Sequence, residues 1–239
     1  MALELADCSF WGPALPASWA CSQLERFLRS ADLLPPRRGA AGKSLQADWD
    51  SYRRELGALG DRSDAQQVAQ HVLAELGQRL GYPQMSAQPA VATSEAEERG
   101  GFLWEAAEAD GSAARLRVWS VEHGADLDAP PHRGLALRFC PSQIAQRVLY
   151  ARGEPLGLLT NGCELRLLLG EPARRDSHIA VRLDGPGGWR TATVVPDSFR
   201  LLLALASPAG ARRLGELLAQ ARLGQTAVTA QLRLQARRA

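Results

Sequence analysis

The sequence predicts an α/β chain: a small mixed sheet with flanking helices, followed by a helical C-terminal segment. Three observations carry that expectation. Val68, Val72, Leu73, Leu76 and Leu80 recur at the spacing of one helix face. Past Gly101 the period shortens, and Arg115-Leu116-Arg117-Val118-Trp119-Ser120-Val121 alternates as a strand does. Asn161-Gly162 stands between two apolar runs, Leu156 to Leu159 and Leu165 to Leu169, the pattern of a tight hairpin.

In order along the chain, Pro13 and Pro16 point to a Trp-containing loop, and Leu24, Phe27, Leu28 and Leu33 predict one short helix over 21–34. The stretch 35–44 is rich in Pro, Gly and Arg and is expected to be a basic loop, either solvated or touching a phosphate backbone. Its Gly42-Lys43-Ser44 is not a P-loop, because the upstream glycine of that pattern falls on arginine and no strand precedes it. A helix over 45–59 and a second, capped by Ser63-Asp64 and ending at Leu80, complete an N-terminal helical region (1–62) and open an α/β domain (63–190). Within that domain, strands 102–108 and 115–121 join at Asp110-Gly111. A helix opened by Pro141-Ser142-Gln143 ends near Gly153, the Asn-Gly hairpin follows, and 178–183 reads as one more strand. Residues 191–239 are expected to form helices over 199–206, 209–223 and 226–239. The last carries Arg233, Arg237 and Arg238 and has no cap, as expected of a segment leading into a further domain.

Composition bounds the classes. At 239 residues and 46% apolar, the chain supports one main core. A net charge of +2 is too small to indicate nucleic acid without clustering. Cys8, Cys21, Cys140 and Cys163 form no C-x-x-C pair, so neither a zinc knuckle nor a disulfide framework is indicated, and a reducing cytoplasm fits. No apolar run reaches the ~18 residues of a membrane span.

A two-residue type I′ turn requires positive φ at both central positions, which Asn161 and Gly162 tolerate. That explanation leaves Thr160 and Arg166 without a role. Thr160-Asn161-Gly162 followed by Arg166-Leu167 resembles the hairpin in nuclease-like N-terminal domains of type I and type IIG restriction enzymes. Gln146 and Tyr150 resemble the Q-x-x-x-Y helix that precedes this hairpin in the PD-(D/E)XK nuclease superfamily. Residues 139–184 carry the likeness, which extends over 64–239 to the N-terminal region of type IIG-like adenine methylases, those of DISARM-type phage-defence clusters included. The resemblance implies a sheet of restriction-endonuclease-like type, DNA as a partner, and methylase or defence-system subunits as protein partners. Gln146, Tyr150, Thr160, Asn161 and Arg166 are then the candidate DNA contacts, with Arg174 and Arg175 adding backbone contacts. Arg166 also has a plainer reading as a cross-strand partner of an acidic neighbour.

In that superfamily an Asp and an E-x-K or D-x-K bind a divalent metal and position the attacking water. Lys43 is the only lysine here and Ala41 stands two residues before it, so the chain contains no such motif. A degenerate site would use Glu122 with Asp126, Asp128 or Glu105 and would take Mg2+. Otherwise the carboxylates of 124–131 cap turns. His123 and His132 are nine residues apart across a Pro-Pro loop, which fits no zinc pattern. There is no N-P-P-[YF] and no F-x-G-x-G, so S-adenosylmethionine would belong to a domain downstream. The resulting expectation is a catalytically silent, DNA-positioning module with no cofactor of its own. The alternatives are a protein-interaction scaffold without DNA contact and a nuclease with a rebuilt site.

Overall fold

The computed structural model describes residues 3–107, 113–130, 139–171 and 176–236, with the backbone alone described for 227–236. The Asp110-Gly111 turn, His132, Arg174 and Arg175 lie outside the described residues. The chain is mixed α/β, a seven-stranded sheet between two helical layers, as its periodicities predict.

Strand β1 (Cys8–Trp11) leads into helix α1, which runs from Ala17–Trp19 through a wider π-turn at Ala20–Leu24 to Glu25–Ser30. Helix α2 is Gly39–Gly57, and α3 runs from Ala65–Val68 through a second π-turn at Ala69–Ala74 to Glu75–Leu80. Then come β2 (Gln84–Ala87), the short pair β3 (Val91–Ala92) and β4 (Glu97–Glu98), β5 (Phe102–Ala107) and β6 (Ala113–Ser120). Helix α4 (Pro141–Arg152) crosses to β7 (Leu156–Thr160), followed by β8 (Glu164–Leu169), β9 (His178–Arg182), α5 (Asp197–Ala206) and α6 (Pro208–Ala236).

The helix boundaries have local causes. Asp64 accepts from the Gln67 amide at 2.8 Å while the Gln67 side chain accepts from the Asp64 amide at 3.0 Å, a reciprocal capping box that fixes the start of α3. Pro141 occupies the first turn of α4, where its missing N–H costs nothing, and Gly153 at φ +65° ends it in the left-handed region.

The sheet order is β1-β9-β8-β7-β6-β5-β2. Every pairing is antiparallel except β6 with β7, which are parallel with Val118 opposite Leu158 and Ser120 opposite Thr160. Helix α4 makes the crossover that a parallel pair requires. It covers one face, burying Ala145, Val148 and Leu149 on Trp119, Leu159 and Leu168. The other face carries the main core, where Leu116, Val118, Leu158, Leu165 and Leu167 meet α1, α2, α3, α5 and α6. At its centre Trp49, Tyr52, Trp189 and Phe199 contact one another, edge-on or tilted except for the stacked Tyr52–Phe199 pair, with ring centroids 5.0–6.4 Å apart. Their polar tips are satisfied: Trp49 Nε1 donates to the Ala192 carbonyl at 3.1 Å and the Tyr52 hydroxyl to the Val72 carbonyl at 3.2 Å.

Three expectations change. The basic loop over 35–44 is cut short, because α2 begins at Gly39 and takes in Lys43 and Ser44. Leu45, Trp49, Tyr52 and Leu56 give that helix a buried stripe, and Gly42 lets its first turn sit against the Arg37 backbone, where a Cβ would lie 2.5 Å from the carbonyl. Part of the Trp-containing loop is strand β1, with Cys8 opposite Val181 and Trp11 opposite His178. The two helices expected after Ala206 are one, α6, since Gly224 stays helical beside Trp19, whose Cδ1 a Cβ would approach to 2.7 Å.

Trp49 is fully buried and central to the aromatic cluster, so Trp49→Ala is expected to lower stability by about 3–5 kcal/mol. Urea unfolding followed by the remaining tryptophan fluorescence measures this, and a loss under about 1 kcal/mol would contradict the packing described.

Candidate functional site

The ends of β6 and β7 and the start of β8 meet the exit loop 121–130, and most of the candidate residues gather there. The hairpin organises the region. Thr160 pairs with Leu165, so residues 161–164 separate the paired positions, Glu164 already opening β8, and among them Gly162 alone has positive φ (+80°). The turn is therefore not the two-residue type I′ that the sequence predicts. The Asn161 side chain supplies the reason: its Oδ1 accepts from the Cys163 amide at 2.9 Å and the Glu164 amide at 2.7 Å, closing the turn with two side-chain bonds beside the backbone one from the Asn161 amide to the Glu164 carbonyl at 3.3 Å. Its Nδ2 donates to the Ala125 carbonyl at 2.7 Å, and its own carbonyl accepts from the Gly124 amide at 3.0 Å. Thr160 Oγ1 donates to the Glu164 carbonyl at 2.7 Å and accepts from the Gly162 amide at 3.0 Å. Thr160 and Asn161, both buried, thus tie the hairpin to itself and to the loop after β6.

Arg166 projects from the centre of β8 and is 8% exposed. Its two terminal nitrogens donate to Asp128 Oδ1 and Oδ2 at 2.6 and 2.8 Å, Nη1 also donates to Ser142 Oγ at 2.8 Å, and Nε bonds Glu164. A fork that meets one carboxylate with both prongs is the strongest geometry open to an arginine. Burial works against the guanidinium charge, but Asp128 and Glu164 outweigh it and hold the pKa above its ordinary value. Arg166 in turn holds the Asp128 carboxyl below the usual carboxylate range, against partial burial. Burial, then the charge of Arg166, pushes the neighbouring His178 down. Arg166 joins β8, the exit loop and the start of α4; its acidic partners lie in the loop and on β8 itself rather than across the sheet, where Leu159 and Ala180 stand opposite it.

The other candidates divide. Gln146 is buried on the inner side of α4, and Tyr150 is half-buried one turn on. Glu122 and Asp126 are exposed, and Asp126 Oδ1 accepts from the Asp128 amide at 2.8 Å, capping its turn as Asp does beside Gly and Pro. Glu105 pairs with Arg115 at 2.9 Å across β5 and β6. Arg115 is five strand residues from Ser120, roughly 17 Å at 3.3 Å per residue, so sheet register separates Glu105 from Glu122 and the two share no ion. On β6, Arg117 is buried, donating to Glu154 at 2.7 and 2.8 Å and to the Gly100 carbonyl at 2.7 Å.

Among the described residues, one group of three potential metal ligands comes together, and it is not the carboxylate set of the degenerate-site alternative. His123, Cys163 and Asp184 bring their ligand atoms within 4.8 Å of one another. His123 and Cys163 were readable only as a loop histidine and a scattered cysteine, because no local spacing links positions 123, 163 and 184. Burial pushes the Cys163 thiol up and Asp184 adds to it, the reverse of what an activated cysteine nucleophile needs. Among the described residues no helix is long and apolar enough to cross a membrane.

Comparison of the chain with protein-family models, with curated proteins and with solved structures finds no match.

Asn161→Ala would leave the Cys163 and Glu164 amides and the Ala125 carbonyl without their partner, and a loss of about 1–3 kcal/mol is expected in urea unfolding. The Asp128–Arg166 pair has a pH signature. A carboxyl depressed by folding adds stability above its unfolded pKa of about 4, lost as pH falls through the lower folded value. The stability gap between wild type and Arg166→Met should therefore be widest above about pH 4 and narrow in more acid solution; a constant gap in urea midpoints would contradict the pairing.

Proposed function

We propose that the chain is a nuclease-like, non-cutting module that positions DNA for a methylase in a cytoplasmic restriction-modification or phage-defence system. One observation carries the reading. An antiparallel β5–β6 pair continues through helix α4 into a strand, β7, parallel to β6, and the Q-x-x-x-Y and T-N-G segments lie on that helix and on the β7–β8 turn. The resemblance drawn from residues 139–184 implies a mixed sheet of restriction-endonuclease-like type with flanking helices, and this arrangement supports that reading. The lone Lys43 belongs to α2, away from the sheet, so the module has no acid-and-lysine set for cutting and needs no Mg2+. S-adenosylmethionine chemistry falls to a partner or a downstream methylase domain.

In this reading Arg166, Thr160 and Asn161 shape the surface, since their polar atoms are used inside the fold. Affinity for the phosphate backbone comes from Arg174 and Arg175 together with exposed Arg152 at the end of α4. The inward use of the signature residues is also what favours a second reading, a protein-interaction scaffold of the same system.

Gel shifts on duplex DNA across a salt series separate the two. DNA positioning predicts binding that weakens steeply as salt rises, and in Arg174→Ala/Arg175→Ala a log–log slope reduced by about 2. No binding at low salt would overturn the DNA reading in favour of the scaffold. Plasmid incubated with magnesium or manganese is expected to remain uncut, and cutting abolished by Glu122→Ala would instead establish a rebuilt nuclease site.

A further inference from the structure

We propose that His123, Cys163 and Asp184 form a zinc-binding site with three protein ligands and a water. The inference is independent of the nuclease-like reading.

The three residues come from three loops at one end of the sheet: the exit of β6, the β7–β8 turn and the exit of β9. Backbone bonds fix each loop to another. The His123 amide donates to the Ser63 carbonyl at 3.0 Å, and the Cys163 carbonyl accepts from the Leu183 and Asp184 amides at 2.8 and 3.2 Å. Cys163 Sγ lies 3.5 Å from His123 Nε2. A zinc ion with Zn–S of about 2.3 Å and Zn–N of about 2.0–2.1 Å at a tetrahedral angle sets these two atoms about 3.6 Å apart. The carboxylate completes a donor set within 4.8 Å, a span that one ion closes as Asp184 turns about its side-chain torsions.

Two further observations fit a built site. Gly162 makes room for the imidazole, since a Cβ there would stand 2.7 Å from His123 Cδ2. Arg190 pairs with Asp184 Oδ2 at 3.3 Å while donating to the Leu59 carbonyl at 2.8 Å, so the carboxylate is oriented from outside and its other oxygen is left to a metal. Mixed sulfur, nitrogen and oxygen donors favour zinc over magnesium or calcium, which take oxygen alone. Three protein ligands leave the fourth tetrahedral position to water. Binding transfers the Cys163 thiol proton to solvent, so affinity should rise with pH.

The test is cobalt and zinc titration of the untagged 239-residue chain under reducing conditions. One equivalent of Co2+ should produce tetrahedral visible bands and a thiolate-to-cobalt charge-transfer band, both discharged by one equivalent of Zn2+. Cys163→Ser should lose the charge-transfer band, His123→Ala and Asp184→Asn should weaken binding at least ~10-fold, and Cys21→Ser should match wild type. A wild-type spectrum of octahedral cobalt without a thiolate band overturns the proposal, whatever the variants do. So does a Cys163→Ser protein that keeps the band. Should that variant not fold, alkylation of wild-type Cys163 decides: zinc protection, read by peptide mass, is expected, and equal labelling with and without zinc counts against the site.

Discussion

The parallel pairing of β6 with β7 is the constraint on which the rest of the sheet depends. To one side β6, β5 and β2 form an antiparallel group, and to the other β7, β8, β9 and β1 form a second, so this one junction makes seven strands a single surface. A parallel junction cannot be closed by a tight turn, and α4 provides the crossing. Close packing holds the junction. Gly157 on β7 has no Cβ where Trp119 and Leu149 approach to 3.0 and 3.1 Å, which lets α4 lie down on the strand pair. Arg117 spans the same junction toward Glu154, just ahead of β7, from a buried position on β6. A buried pair of this kind contributes little net stability but fixes which strands become neighbours, since an arginine left there without its carboxylate would be costly.

Around this junction the charged residues serve as fasteners between elements distant in sequence. Asp128 and Arg166 connect an exit loop to β8, and Arg147 on α4 reaches Glu95, Glu98 and Thr93 of the small β3–β4 hairpin. Asp197 gathers Arg37, Arg200 at 2.7 Å and the Glu4 amide at 2.8 Å. Burial opposes ionisation of Asp197, yet these donors hold its carboxyl below the ordinary range. Arginine suits the task because one side chain can engage a carboxylate and a carbonyl at once, as Arg200 does with Asp197 and the Pro35 carbonyl.

The elements legible in the sequence are those whose signal is local. The α3 cap and its apolar stripe, the Pro141 start of α4, the alternation of β6 and the position of the β7–β8 hairpin all follow from neighbours a few residues away. Misreadings arose where a distant partner decides. Cys8-Ser9-Phe10-Trp11 is too short to identify as a strand until β9 is beside it, and the Asn161 side chain that re-forms the Asn-Gly turn through the Cys163 and Glu164 amides is itself held by Ala125 of another loop. The candidate site follows the same division. Arg166 was identifiable as a residue the turn did not explain, while its partners Asp128 and Ser142 were not identifiable as such. The grouping of His123 with Cys163 and Asp184 has no sequence spacing behind it and exists only in the fold.

The pairing of β1 with β9 gives the chain a direction in time. Residues 8–11 are made before the other described strands, yet the edge they complete is not formed until residues 178–181 have followed. Until then the polar backbone edge of β1 has no sheet to join, and β9, once made, must find a partner some 170 residues upstream. Of the described strands, the first in sequence is therefore the last to join the sheet, and that edge stays open until β9 has been made.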